Sequence, residues 1–175
     1  MKKWHDIEGW FPPRECAALQ KLAVGKLCVE IGSYKGRSTL CLAKVAKHVY
    51  AIDILLRPGL KDNIIGYPVT TLIMSSADGS KHFGQDNVDL IFIDGSHLYP
   101  NVKLDILNWW DKLRSNGVMC FHDYEAPGHD GVAKAVNEFF ELTILKRFNF
   151  LAWVIKNDES SKCVNRIKYE SIIHH

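Results

Sequence analysis

The run Val29-Glu30-Ile31-Gly32-Ser33-Tyr34-Lys35-Gly36 constrains this chain more than any other stretch. An apolar run from Lys26 to Ile31 carries an acid near its end and then breaks into a glycine-bearing turn. Ser38 to Ala46, helical in pattern, follows at once. About twenty residues after the turn a second apolar run, Val49-Tyr50-Ala51-Ile52, ends in Asp53. Strand, helix and strand in this order form a parallel βαβ unit, which holds a nucleoside at the carboxyl ends of its strands.

Three nucleotide-binding readings compete for the turn. A dinucleotide fingerprint needs G-x-G-x-x-G, so that the second glycine admits a pyrophosphate. Tyr34 stands at that position and blocks the approach. A phosphate-cradling loop needs four residues between its glycines and then Lys-Ser/Thr, whereas only three separate Gly32 from Gly36 and Arg37-Ser38 follows. The third reading, E-x-G-x-x-x-G, brings a bulky, phosphate-free ligand close to the backbone. Glu30 repels phosphates and suits a cationic ligand such as S-adenosylmethionine.

Glu30-x-Gly32-x-x-x-Gly36, Asp53, and the later runs Asp89-Leu90-Ile91-Phe92-Ile93-Asp94-Gly95-Ser96-His97 and Gly117-Val118-Met119-Cys120-Phe121-His122-Asp123-Tyr124 carry a resemblance. From Gly9 to Lys156 the chain resembles class I S-adenosylmethionine-dependent methyltransferases. Within them it is similar to the branch with O-methyltransferases of macrolide and aminocoumarin sugars and methyltransferase components of cephalosporin biosynthesis. Catechol O-methyltransferase is a more distant likeness.

Length and composition agree with one α/β core. The 175 residues are 47% hydrophobic and 24% charged, and a net charge of +2 argues against a nucleic-acid or anionic-membrane partner. No run approaches a membrane span and the first residues lead into no signal-peptide core, so a cytoplasmic protein is expected. The five cysteines form no C-x-x-C pair, and the odd number argues against a complete disulfide framework. Cys28 and Cys120 fall inside apolar runs and read as buried reduced thiols.

The pattern predicts a helix from Pro12-Pro13 to Val24, strands at 26–31, 48–52, 69–74, 88–93 and 118–121, and helices at 37–46, 101–113 and 131–140. Arg57 to Pro68 reads as a loop with room for a helical turn, and Asn116-Gly117 as the stop of the third helix. Leu142 to Arg147 and Phe150 to Lys156 read as a closing hairpin. The expected fold is therefore α/β, a doubly wound, mostly parallel, seven-stranded Rossmann-like sheet with a C-terminal antiparallel hairpin. Residues 1–24 form an N-terminal segment and lid, 25–156 the methyltransferase domain, and 157–175 a surface extension. His174 and His175 fit the remnant of a purification tag and take no part in site reasoning.

Sheet geometry places the cofactor. Glu30, Gly32, Ser33, Tyr34, Gly36 and Ser38 form the turn around its methionine end, Asp53 accepts from the ribose hydroxyls, and Ile54 covers an adenine face. The resemblance adds Ser76, Ala77 and Asp78 at the adenine edge. Asp94 and Asp123 follow strand ends and face the same crevice, with Asp94 shared between cofactor and chemistry. In the resembling sugar O-methyltransferases an acid at the Asp94 position and an acidic pair at His122-Asp123 hold a metal. The imidazole there weakens the case for Mg²⁺ and leaves Mn²⁺, Zn²⁺ or no metal. His97 is the candidate general base, since an unperturbed imidazole titrates close to working pH. The expected acceptor is a small-molecule or glycan hydroxyl, bound partly in the open or enclosed by a second subunit of a homo-oligomer. The alternative is a catalytically silent cofactor-binding or assembly module.

Overall fold

The computed structural model describes residues 3–173, with side chains through 167; His174 and His175 lie outside the described residues. Seven strands form one sheet in the order β3-β2-β1-β4-β5-β7-β6. They are β1 (Leu27–Ile31), β2 (His48–Asp53), β3 (Val69–Ile73), β4 (Val88–Ile93), β5 (Leu113–Phe121), β6 (Lys146–Phe148) and β7 (Leu151–Ile155). The first five run parallel, and β7 pairs antiparallel with both β5 and β6. The helices are α1 (Pro13–Ala23), α2 (Arg37–Ala43), α3 (Leu60–Ile64), α4 (Ser76–Ser80), α5 (Tyr99–Trp109), α6 (Asp130–Phe139) and α7 (Asp158–Ile173).

Both faces of the sheet are covered, so β4 is apolar almost throughout, and its alternate residues divide between two cores. Leu90 and Phe92 pack with Phe11, Leu19 and Leu42 beneath α1 and α2. Ile91 and Ile93 pack with Val102, Ile106, Trp109, Val136 and Phe139 beneath α5 and α6. Phe121 of β5 joins the second core.

Several expected boundaries move. The loop at 57–68 does hold a helical turn, the five-residue α3. The helix expected at 101–113 is α5, which ends at Trp109. Asn116-Gly117 ends no helix and lies inside β5, where the pairing with β4 shifts register and Asn116 takes φ 61°. Asn116 N donates to Lys156 O at 2.9 Å and Lys156 N to Gly117 O at 2.9 Å, so tertiary pairing overrides the turn signal. Leu142 to Leu145 falls outside β6. The polar stretch after Asn157 is helix, and its Val164 and Ile167 join the core.

Cys28 and Cys120 are buried and free, as expected, but Cys16 and Cys41 form a disulfide that ties α1 to α2. Nothing in the spacing of those two cysteines shows that the helices lie side by side.

Candidate active site

The turn after β1 forms because the backbone must pass very close to the end of β4. Gly32 has φ +92°, and a Cβ there would lie 2.3 Å from the carbonyl oxygen of Asp94, so only glycine fits. Gly32 N donates to Ile52 O and Asp94 N to Ile31 O, each at 2.8 Å, which joins the ends of three strands. Ser33 is buried, and among the described residues its hydroxyl has no partner. Asp53 accepts from Tyr34 N at 2.8 Å and from Leu55 N at 3.0 Å, one donor on each oxygen. A carboxylate has about four acceptor positions, so both oxygens keep capacity for a ligand's hydroxyls.

These groups open onto one cavity of about 1180 Å³, larger than the usual ~300–1,000 Å³ of a small-molecule pocket. Of the expected cofactor residues, Gly32, Ser33, Tyr34, Ser38, Asp53, Ile54, Ser76, Ala77 and Asp94 are on its wall. Glu30, Gly36 and Asp78 are not. Glu30 is fully buried behind the turn, where it accepts from the Thr39 hydroxyl. Burial pushes its carboxyl up to about 8, against the hydroxyls of Ser38 and Thr39, so it offers the ligand little charge near pH 7. Gly36, at φ +87°, packs the turn onto Leu60 and Ile64 of α3. The Asp78 carboxylate is half exposed and bonds Ser75 and Lys81, each at 2.7 Å.

Asp94, His97, His122 and Asp123 do come together on the wall of the same cavity. His122 Nδ1 lies 2.9 Å from Asp94 and 3.1 Å from Asp123. Its Nε2 lies 3.0 Å from Glu15, a residue of α1 that is only 1% exposed and also receives Phe150 N at 3.3 Å. Burial disfavours charge on His122, but the three carboxylates outweigh it and hold the ring well above its ordinary pKa. Burial raises the Asp94 carboxyl, with His122 opposing. Burial also pushes Asp123 upward, yet His122, His97 and His129 together hold it below the usual range. Asp123 sits at φ 56°, uncommon for an aspartate, and turns its carboxylate toward His97 Nε2 at 2.9 Å.

The N-terminal segment walls the same cavity through Trp10, Phe11 and Pro12. Arg37 of α2 anchors it, donating to Phe11 O at 2.9 Å and Ile7 O at 3.0 Å. Phe11 packs against Phe92 and His122, while Trp10 leans exposed on Tyr34, 5.6 Å between rings. Sequence reasoning misses Glu15 and the cavity-wall residue Asp105, and reads His129 as a solvated loop or element-end position. The only signal for Glu15 was an acid beside the apolar Cys16-Ala17-Ala18-Leu19. His129 shares a metal-capable cluster with His97 and Asp123, its ring 4.0 Å from that of His97.

A family model described as a methyltransferase domain matches residues 29–124. Among curated proteins, the uncharacterized protein y4gI of Sinorhizobium fredii is 46% identical over 43 residues, or 25% of this chain; the chain covers 5% of that relative's length. Among solved structures, the SAM-dependent O-methyltransferase of Thermotoga maritima superposes with a TM-score of 0.66 at 15% identity, over 86% of this chain and 68% of its own. The MycE methyltransferase of the mycinamycin biosynthetic pathway, in complex with Mg and SAH, gives 0.58 at 17% identity, over 83% and 49%. At these identities the likeness is one of fold.

Proposed function

The chain belongs to the methyltransferase domain family, and from that premise we propose that it transfers the methyl group of S-adenosylmethionine to a hydroxyl of a small-molecule or glycan acceptor. The observation that carries this reading is one continuous cavity from Gly32, Ser33 and Asp53 to Asp94, His97 and Asp123. The unpartnered Ser33 hydroxyl and the spare acceptor positions of Asp53 fit a polar ligand with an adenosine moiety. The likeness in fold to the Thermotoga O-methyltransferase supports oxygen as the target atom.

His97 donates Nε2–H to Asp123 and keeps Nδ1 as the basic nitrogen. In the reaction Nδ1 takes the acceptor's hydroxyl proton as the oxygen attacks the methyl carbon. The carbon–sulfur bond breaks, its electron pair stays on sulfur, and S-adenosylhomocysteine leaves. Asp94 and Asp123 orient the imidazoles around the reacting oxygen.

Asp94, His122 and Asp123 also bring one donor atom each within 4.8 Å of one another. With the Nδ1 proton of His122 displaced on binding, two carboxylates and an imidazole would suit a nitrogen-tolerant ion such as Mn²⁺ or Zn²⁺ better than Mg²⁺. Glu15 behind Nε2 is the outer carboxylate that orients a ligating histidine. A divalent ion held there would supply Lewis acidity toward the acceptor oxygen.

Calorimetry with S-adenosylhomocysteine tests the reading. The native protein is expected to bind it, and Asp53→Ala to weaken it at least roughly tenfold, the loss expected when paired ribose hydrogen bonds go. No binding to the native protein would defeat the proposal. His97→Ala should keep cofactor affinity and lose methyl transfer across a panel of hydroxylated acceptors. Binding without transfer, with or without Mn²⁺ or Zn²⁺, would leave a silent binding module.

A further inference from the structure

Two imidazoles meet beside Asp123 in a second, more open cluster. His97, Asp123 and His129 each offer one donor atom, and the three atoms lie within 4.8 Å of one another. All three residues are half-buried on the cavity wall, so an ion from solvent reaches them. The backbone builds this meeting. Asp123, Glu125 and Gly128 take φ of 56°, 58° and 82°, which folds the segment after β5 back on itself. Ala126 N donates to Asp123 O at 3.1 Å, and His129 N to Ala126 O at 3.0 Å. Gly131 then lets α6 begin against the His97 carbonyl, where a Cβ would lie at 2.3 Å. The rings of His97 and His129 are thereby held 4.0 Å apart, centre to centre.

The donors are free to bind. His97 Nε2 faces Asp123 at 2.9 Å. Among the described residues the His129 ring has no hydrogen bond or ion pair, so its nitrogens are open to a ligand. His122 differs, because its Nδ1 faces Asp94 and Asp123 and its Nε2 faces Glu15. Two imidazoles and one carboxylate suit a first-row ion such as Zn²⁺, whereas Mg²⁺ and Ca²⁺ prefer oxygen ligands. Three protein ligands leave a position for water.

We propose that His97, His129 and Asp123 bind one divalent ion of the zinc class, and that this ion silences His97 as a base. Neutral His97 carries one ring proton, which without the ion sits on Nε2 and points at Asp123. An ion that takes the Nε2 lone pair leaves that proton on Nδ1, the nitrogen that would receive the acceptor's proton. Ion binding needs no cofactor; only the silencing rests on the methyl transfer proposed above.

The test starts from protein stripped with a chelator and titrated with Zn²⁺ by calorimetry and with Co²⁺ by visible absorption. The native chain is expected to take up one ion and to show the absorption of nitrogen-ligated Co²⁺. His129→Ala should weaken binding at least roughly tenfold, the least that disturbing a ligand costs, whereas Asp94→Asn should keep the native affinity. Melting in ion-free buffer confirms that each variant is folded, and Zn²⁺ should raise the melting temperature of the native chain more than that of His129→Ala. The site is overturned by no uptake at micromolar Zn²⁺, by unchanged affinity in His129→Ala, or by an equal loss in Asp94→Asn, which places the ion against His122 instead. Methyl transfer by the native protein should fall as Zn²⁺ fills the site and recover with chelator, while His129→Ala stays insensitive at the same Zn²⁺ concentration. Transfer unchanged or stimulated with the site full overturns the silencing. No transfer by the ion-free protein defeats the proposed function, and the uptake result stands apart from it.

Discussion

At the residue scale, each key position is decided by one contact. Gly32 is the sharpest case, since any side chain would drive its Cβ into the Asp94 carbonyl at 2.3 Å while holding a left-handed φ. Gly32→Ala is therefore expected to move the Asp94 backbone as well as strain its own. Thermal melting should show a loss of about 2 kcal/mol or more, and S-adenosylhomocysteine affinity should fall at least roughly tenfold. An alanine variant with native melting and affinity would show that the close approach does not matter. Gly32, Asp53, Asp94, His97, His122 and Asp123 were legible because strand ends and short motifs fix them locally. Glu15 and Asp105 were not. Each lies on a helix whose face toward the site is chosen by packing, and neither belongs to a motif.

At the element scale, what could be read from sequence depended on how local the governing interaction is. The run Val88–Ile93 is bounded by its own apolar pattern, and the strand ends where expected. β5 shows the opposite. Leu113 to Gly117 contains turn residues, yet cross-strand pairing with β4 and the end of β7 carries the strand through them. The disulfide between Cys16 and Cys41 likewise depends on how α1 meets α2, which no spacing reveals. Element contacts also reach the candidate base. A Cβ on Gly131, near the start of α6, would lie 2.3 Å from the His97 carbonyl and 2.6 Å from Tyr99 N. Gly131→Ala should displace the loop that carries His97, lower the melting temperature, and reduce methyl transfer more than cofactor affinity. Equal loss of both would place the effect in global unfolding instead.

At the scale of the whole molecule, buried acids tie stability to pH. Burial raises Glu30 from 4.5 to about 8 and Asp105 from 3.8 to about 6. A raised folded-state pKa means the native chain holds a proton that the unfolded chain has already lost. The contribution is therefore fully present below the unfolded value and falls as pH rises, until the folded value is passed. For Asp105 that window is roughly pH 4 to 6, and for Glu30 roughly pH 4.5 to 8. Within its window each group costs up to about 1.4 kcal/mol per pH unit. Between pH 6 and 8 Asp105 has finished, while His122, also raised, loses stability with the same sign above about 6.5, so the difference between the native protein and a Glu30 variant isolates Glu30. Denaturant unfolding of the native protein at pH 6, 7 and 8 should show stability declining with pH, and Glu30→Gln should flatten the slope by about one proton. Glutamine keeps the volume and an acceptor for Thr39 while carrying no charge. If the variant keeps the native slope, the proton held beneath the first turn belongs to another group, and the account of Glu30 as a neutral core residue fails.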